Sequence, residues 1–255
     1  MKPEEVLDDA AWQNGADYRW HKRDWLRNCA LVPGEWRPRG NTGSNPAKLS
    51  EARSALGGDI ITICADVQSR GDLARMREEL EAAFGSLNIC FANAGVAFQT
   101  PIESTDEVMF NKLMDVNVKG VFFSVQAVLP IMPPGSSIIL STSWLNQVGT
   151  PGRSLLSASK AAVRSFARTL SAELLDRGIR VNAVSPGSID TPIHRKNVAS
   201  EADFAAYKRR MGEQVPVGRM GEPEDVAAAV LFLASDNSNY MLGAEIVIDG
   251  GRAEL

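Results

Sequence analysis

The chain has 255 residues, 44% hydrophobic and 23% charged, with 27 basic against 31 acidic side chains. That composition suits one large globular core, and a formal net charge of -4 argues against nucleic acid or an anionic membrane as the main partner. No apolar run approaches the roughly 18 residues of a membrane span, and the acidic start Met1-Lys2-Pro3-Glu4-Glu5 lacks the apolar core of a signal peptide. Cys29, Cys64 and Cys90 are odd in number and widely spaced, which reads as free thiols in a reducing cytoplasm. His21 and His194 have no usual zinc spacing with them.

Residues 1–41 differ from the rest. They contain no Ile, Ser, Thr or Phe, yet hold four of the five tryptophans, Trp12, Trp20, Trp25 and Trp36. No helical or alternating period survives there, so the segment reads as an atypical N-terminal arm. From Thr42 onward the pattern becomes regular. Strands are expected over Asp59–Ala65, Leu87–Ala92, Ser137–Ser141, Ile179–Val184 and Glu245–Asp249. Helices are expected from about Ser69 to Phe84, Thr105 to Leu129 and Leu155 to Leu175, with a capped one beginning near Glu222. In the third of these, Val163, Phe166, Ala167, Leu170 and Leu174 fall at helical spacing. Strands alternating with long helices predict α/β architecture, a single-domain Rossmann-type fold with a doubly wound parallel sheet over 42–255. Such sheets bind ligands beyond the carboxyl ends of their strands.

The strand ends carry residues suited to that task. Asn93-Ala94-Gly95 follows one strand, where a glycine lets a ligand approach the backbone. Asp66 follows another and can accept from an amino group, and Pro186-Gly187 ends a third. Asn117, Ser143 and Lys160 are polar, and each has a purely structural alternative. Asn117 can bond the neighbouring helix turn, Ser143 can cap a turn, and Lys160 can be a solvated lysine.

Taken with their spacing, Asp66-Val67, Asn93-Ala94-Gly95, Asn117, Ser143, Ser157-Ala158-Ser159-Lys160, Pro186-Gly187, Thr191 and Ile248-Asp249-Gly250-Gly251 resemble the short-chain dehydrogenase/reductase family. The resemblance implies a Rossmann enzyme using NAD or NADP on a small carbonyl or alcohol substrate, assembled as a homodimer or homotetramer. By it, Asp66 and Val67 flank adenine, Asn93, Ala94 and Gly95 the adenosine ribose, and Pro186, Gly187 and Thr191 the nicotinamide. Ser143 polarises the substrate oxygen, Asn117 anchors a relay water, and Lys160 binds the nicotinamide ribose beside a catalytic tyrosine. That tyrosine's position, one helical turn before Lys160 and thirteen residues after Ser143, is Leu156. Leucine has no proton to give, so the alternative is a fold-retaining pseudoenzyme acting as a binding or partner subunit. His194 is the one other acid near Thr191.

The family's Gly-rich T-G-x-x-x-G-x-G turn is absent as written. A reading one nucleotide later supplies it. Every Trp codon, TGG, then begins a glycine codon, and permitted codons turn Asp17–Trp25 into I-T-G-G-T-S-G-I-G. Compensating frameshifts over about residues 1–41 would account for the scrambled segment, which is the expectation here. Where that shifted reading's second strand ends, Thr42-Gly43-Ser44-Asn45-Pro46 holds no carboxylate to repel a 2′-phosphate. Ser44 and Asn45, with Lys48 nearby, can donate to one, which favours NADP over NAD.

Overall fold

The computed structural model describes residues 40–56, 60–191 and 200–255; Cys29, His21, His194 and most of the atypical N-terminal segment lie outside them. Among the described residues the first element is strand β1 (Gly40–Gly43), followed by α1 (Pro46–Leu56), β2 (Ile61–Cys64) and α2 (Arg70–Phe84). Strand β3 (Ile89–Ala92) leads into α3 (Glu107–Met114), a π-helical turn (Asp115–Gly120) and α4 (Val121–Val128). Then come β4 (Ser137–Ser141), α5 (Ser154–Glu173), β5 (Arg180–Pro186), α6 (Glu201–Gly212), α7 (Pro223–Ala234) and β6 (Glu245–Ile248).

Helix starts follow side-chain chemistry. Ser69 accepts from the Asp72 amide to open α2, and Asp106 accepts from the Met109 amide to open α3. Glu222 and Asp225 form a capping box around Pro223 at the head of α7. Two helices escape the sequence reading, α1 and α6. The first buries little beyond Leu49 and Ala52, so its period is faint, but Asn45 followed by Pro46 is a start signal, and Asn45 Oδ1 accepts from the Lys48 amide at 3.2 Å. The second starts at Ser200, whose hydroxyl accepts from the Asp203 amide; the Ser-x-x-Asp spacing is its legible mark.

Among the described residues all strand pairings are parallel. The order is β3-β4-β5-β6 in one sheet and β1-β2 in the other. Because strand side chains alternate, each strand feeds two cores. Ile138 and Leu140 of β4, with Val181 and Ala183 of β5, face α2, α4 and α5 through Leu73, Val121, Val125, Val163 and Ala167. Ile139 and Val184 face the opposite side, against Val226 and Leu233 of α7. Helices on both faces of a parallel sheet give the doubly wound architecture.

Two boundaries differ from expectation in ways that matter for the site. Strand β5 continues two residues past Val184, with Ser185 and Pro186 in register with Val247 and Ile248 of β6. Pro186 has no N–H to give the ladder, and the amide of Gly187 donates to Ile248 O instead. The helix expected as one run from Thr105 to Leu129 is split by the π turn, which holds one surplus residue. Gly120 ends that turn against β2's end, where an added Cβ would lie 2.7 Å from Val67 Cγ2.

Candidate active site

The carboxyl ends of β3, β4 and β5 converge on one buried polar group. Asn117, fully buried in the π turn, donates from Nδ2 to Val96 O at 3.0 Å and accepts at Oδ1 from the Val96 amide at 2.8 Å. Its Nδ2 also donates to Ser159 Oγ on α5 at 3.2 Å. Asn117 therefore grips the chain after Asn93-Ala94-Gly95 rather than its own helix. A Cβ on Gly95 would sit 3.3 Å from Asn117 Oδ1 and 3.7 Å from Lys160 Nζ, so the glycine is what lets the three approach.

Lys160 is 8% exposed and not a solvated lysine. Its Nζ donates to Ser141 O at the end of β4 at 2.8 Å. An ammonium has three donors, and one protein acceptor is in place. Burial pulls its pKa from the ordinary 10.5 down to about 8. Two residues beyond Ser141, Ser143 Oγ accepts from the Leu145 amide at 3.3 Å, capping the short 3-10 turn Trp144–Asn146. The capping role and a place beside the Lys160 acceptor hold together. Leu156 is 7% exposed and packs with Val96, Leu113, Val116 and Leu145. That apolar cluster lies directly beside Asn117 in sequence and structure.

The remaining sequence candidates distribute around this centre. Gly187 donates its amide to Ile248 O at 2.9 Å, and a Cβ there would fall 2.5 Å from Asp249 Cα. Thr191 is buried at 3% exposure. Asp66 spends one carboxylate oxygen on its own turn, accepting from the Gln68 amide at 2.9 Å, and Val67 packs against the apolar cluster holding Leu156. Ser44 is half-buried at the end of β1, and Asn45 turns its side-chain oxygen to capping α1. Among the described residues, three buried side-chain polar atoms have no partner, and two of them are at strand tips: Asn93 Oδ1 and Ser185 Oγ. An orphaned acceptor, an ammonium with donors to spare and glycines opening the backbone fit the sugar and nicotinamide end of a dinucleotide. A separate cavity of about 550 Å3 lies between the 145–152 loop and the outer face of α5, lined by Thr100, Ile102, Ser157 and Ala161. Ser143, Leu156 and Lys160 do not line it.

One functional support has no motif in the sequence. Glu245, 8% exposed at its side chain, accepts from Thr142 Oγ1 at 2.5 Å and Asn146 Nδ2 at 2.9 Å, and pairs with Arg164 Nε at 3.3 Å. It ties the loop that carries Ser143 to β6 and α5. Only its position at a strand start, where an apolar residue is usual, hints at this. Glu245→Ala leaves the half-buried Arg164 guanidinium with Gly243 O alone and frees two donors, so a loss of roughly 2 kcal/mol is expected. The check is denaturant unfolding; a loss below about 1 kcal/mol would mean that the network carries little.

With this geometry in hand, the relationships of the chain are plain. A family model described as enoyl-(acyl carrier protein) reductase matches residues 41–253. The chain belongs to the short-chain dehydrogenase/reductase family. It is 39% identical over 215 residues to an oxidoreductase, asL5, of Sarocladium schorii, covering 84% of each chain. It is 35% identical over 209 residues to the 3-oxoacyl-(acyl-carrier-protein) reductase FabG of Thermotoga maritima, covering 81% of this chain and 82% of that protein. Among solved structures it is similar to a glucose/ribitol dehydrogenase-type member from Brucella melitensis, with a TM-score of 0.79, 26% identity and 91% of each chain covered. Membership carries the coarse chemistry: an oxidoreductase acting at CH–OH or C=O groups of small molecules with a nicotinamide cofactor. Among the described residues, no helix is long and apolar enough to cross a membrane.

Proposed function

We propose that the protein transfers hydride between NADP(H) and a carbonyl or alcohol substrate at the tips of β3, β4 and β5. The observation that carries this reading is the buried Lys160 ammonium, held by Ser141 O against Gly95 and beside Asn117. A bound nicotinamide cofactor supplies the hydride. The substrate oxygen gains negative charge as hydride arrives, and that charge needs donors placed in advance. Ser143 can donate its hydroxyl proton to that oxygen while still accepting from the Leu145 amide. Lys160 adds a positive charge in a desolvated setting, where it counts for more than in water. Asn93, Ala94, Gly95, Asp66 and Val67 border the adenosine side, and Pro186, Gly187 and Thr191 the nicotinamide side. NADP is preferred because the segment after β1, through Ser44 and Asn45, offers no carboxylate against a 2′-phosphate.

The reading extends to a homodimer or homotetramer, with α3 and α5 at one interface, in a reducing cytoplasm where Cys64 and Cys90 stay as thiols. It also holds that the segment up to about residue 41 is out of frame. The decisive measurement follows NADPH fluorescence on titration and its oxidation across a carbonyl panel. Binding with no oxidation would favour a partner subunit, for which the apolar packing of Leu156 is the specific support. Tighter binding of NADH than NADPH would reverse the cofactor choice.

Lys160→Met is expected to abolish turnover while stabilising the fold. Because burial lowers the Lys160 pKa, the unfolded chain binds more protons between about pH 8 and 10.5, and stability rises with pH through that window. Below it the buried charge costs roughly 3 kcal/mol, less what the Ser141 bond returns. The methionine variant should therefore be more stable than the parent at pH 7, by on the order of 1–2 kcal/mol, with the gap closing toward pH 10.5. A variant less stable at pH 7, or a gap flat with pH, would contradict the burial of a charge there.

A further inference from the structure

Arg252, just past the Gly250-Gly251 turn, stacks its guanidinium on the Trp144 ring, with Cζ 4.2 Å from the centroid. Trp144 is the residue after Ser143. The same guanidinium donates from Nη1 to Ser188 Oγ, one residue past Gly187, and from Nη2 to Gln214 Oε1 at 2.8 Å. It thus spans the two strand tips that carry Ser143 and Pro186-Gly187. Two of its five N–H groups are used; three are left for something else. Tyr207 of α6 stacks on Phe204 with centroids 6.3 Å apart, and Arg210 Cζ lies 5.7 Å from its ring. Arg153, the N-cap of α5 one turn before Leu156, is half-buried. Burial raises the Tyr207 pKa, while the charges of Arg153, Arg210 and Arg252 pull it down.

Among the described residues the carboxylate acting on Arg252 is Asp249, from beyond ion-pair distance. Among the described residues none of Arg153, Arg210 and Arg252 forms an ion pair within 4.0 Å. The neighbouring acids are committed: Asp249 accepts from the Gly251 and Ala253 amides at 2.8 Å each, and Asp190 pairs with Lys208. A half-buried guanidinium, flattened on the Trp144 indole and held by Ser188 and Gln214, has N–H groups left to take a planar carboxylate.

We infer that Arg252, with Arg153 and Arg210 at the rim, recognises a carboxylate on the substrate, so the site takes oxo acids or hydroxy acids rather than neutral carbonyl compounds. The inference rests on the strand tips being the substrate site, and it needs no turnover to be tested. The probes are 2-, 4- and 5-oxohexanoate, each against its methyl ester, titrated calorimetrically into the full chain with NADP+ present. At least one acid is expected to bind 10-fold or more tighter than its ester. Arg252→Gln should erase that preference, and Arg252→Lys should keep part of it, with melting curves confirming that both variants fold. Equal affinities for acid and ester, no binding of any acid, or a preference that survives Arg252→Gln would each overturn it. A chain that binds the acid in this Arg252-dependent way but never oxidises NADPH would keep this inference while failing the oxidoreductase reading.

Discussion

Leu156→Tyr is expected to raise NADPH-dependent carbonyl reduction by about 100- to 10,000-fold, the usual worth of a positioned general acid. The hydride step leaves an alkoxide that must be protonated, and at the position one helical turn before Lys160 the chain offers a methyl-bearing side chain. Leu156 shares its face of α5 with Lys160, and both are buried. A phenol there would stand beside an ammonium already held by Ser141 O, and that charge favours the phenolate and so lowers the phenol's pKa. The substitution enlarges a side chain packed on Val96, Leu113, Val116 and Leu145, so a stability loss of about 1–3 kcal/mol accompanies the gain. Steady-state rates, measured beside melting curves and NADPH affinity, decide the matter. A folded variant that binds cofactor and gains nothing would show that the acid belongs elsewhere, with His194 the next residue to replace.

A chain re-encoded so that Asp17–Asn41 is read one nucleotide later, rejoining the present frame at Thr42, is expected to bind NADPH at least 100-fold more tightly. The shifted frame supplies a strand, the Gly-rich turn and a helix start. Two charge-assisted bonds from such a turn to a pyrophosphate are together worth roughly 3 kcal/mol, which is about 100-fold. Among the described residues β1 pairs only with β2, and β3 is the edge of its sheet, so each has one unpaired side. In the open order 3-2-1-4-5-6 of a dinucleotide-binding sheet, the position between them belongs to the first strand of the chain. Fluorescence titration of both chains is the measurement. Unchanged affinity, or coding DNA without glycine codons in the shifted frame, would end the idea.

The legible parts of this protein are those where one local force dominates. The expected strand Ser137–Ser141 coincides with β4 because it is apolar on both faces, and the predicted start of α7 is set by its capping box. Lys160, Asn117 and Gly95 are readable as candidates from spacing, but their convergence depends on a π turn that no periodicity announces. Glu245 and Arg252 are invisible in the sequence because their importance lies in distant partners, Thr142 at 103 positions from Glu245 and Trp144 at 108 from Arg252. Helix α1 was hidden by its thin apolar stripe.

The π turn at Asp115–Gly120 also changes what the surrounding helix can be. Leu113 before it and Val116 within it point into the cluster around Leu156; after it, Val121, Val125 and Val128 point into the main core. A regular helix advances 100° per residue, so the surplus residue resets the angular phase between the two halves. The segment works as a coupling with an offset, and the two hydrophobic neighbourhoods it joins can each be repacked without forcing the other to rotate.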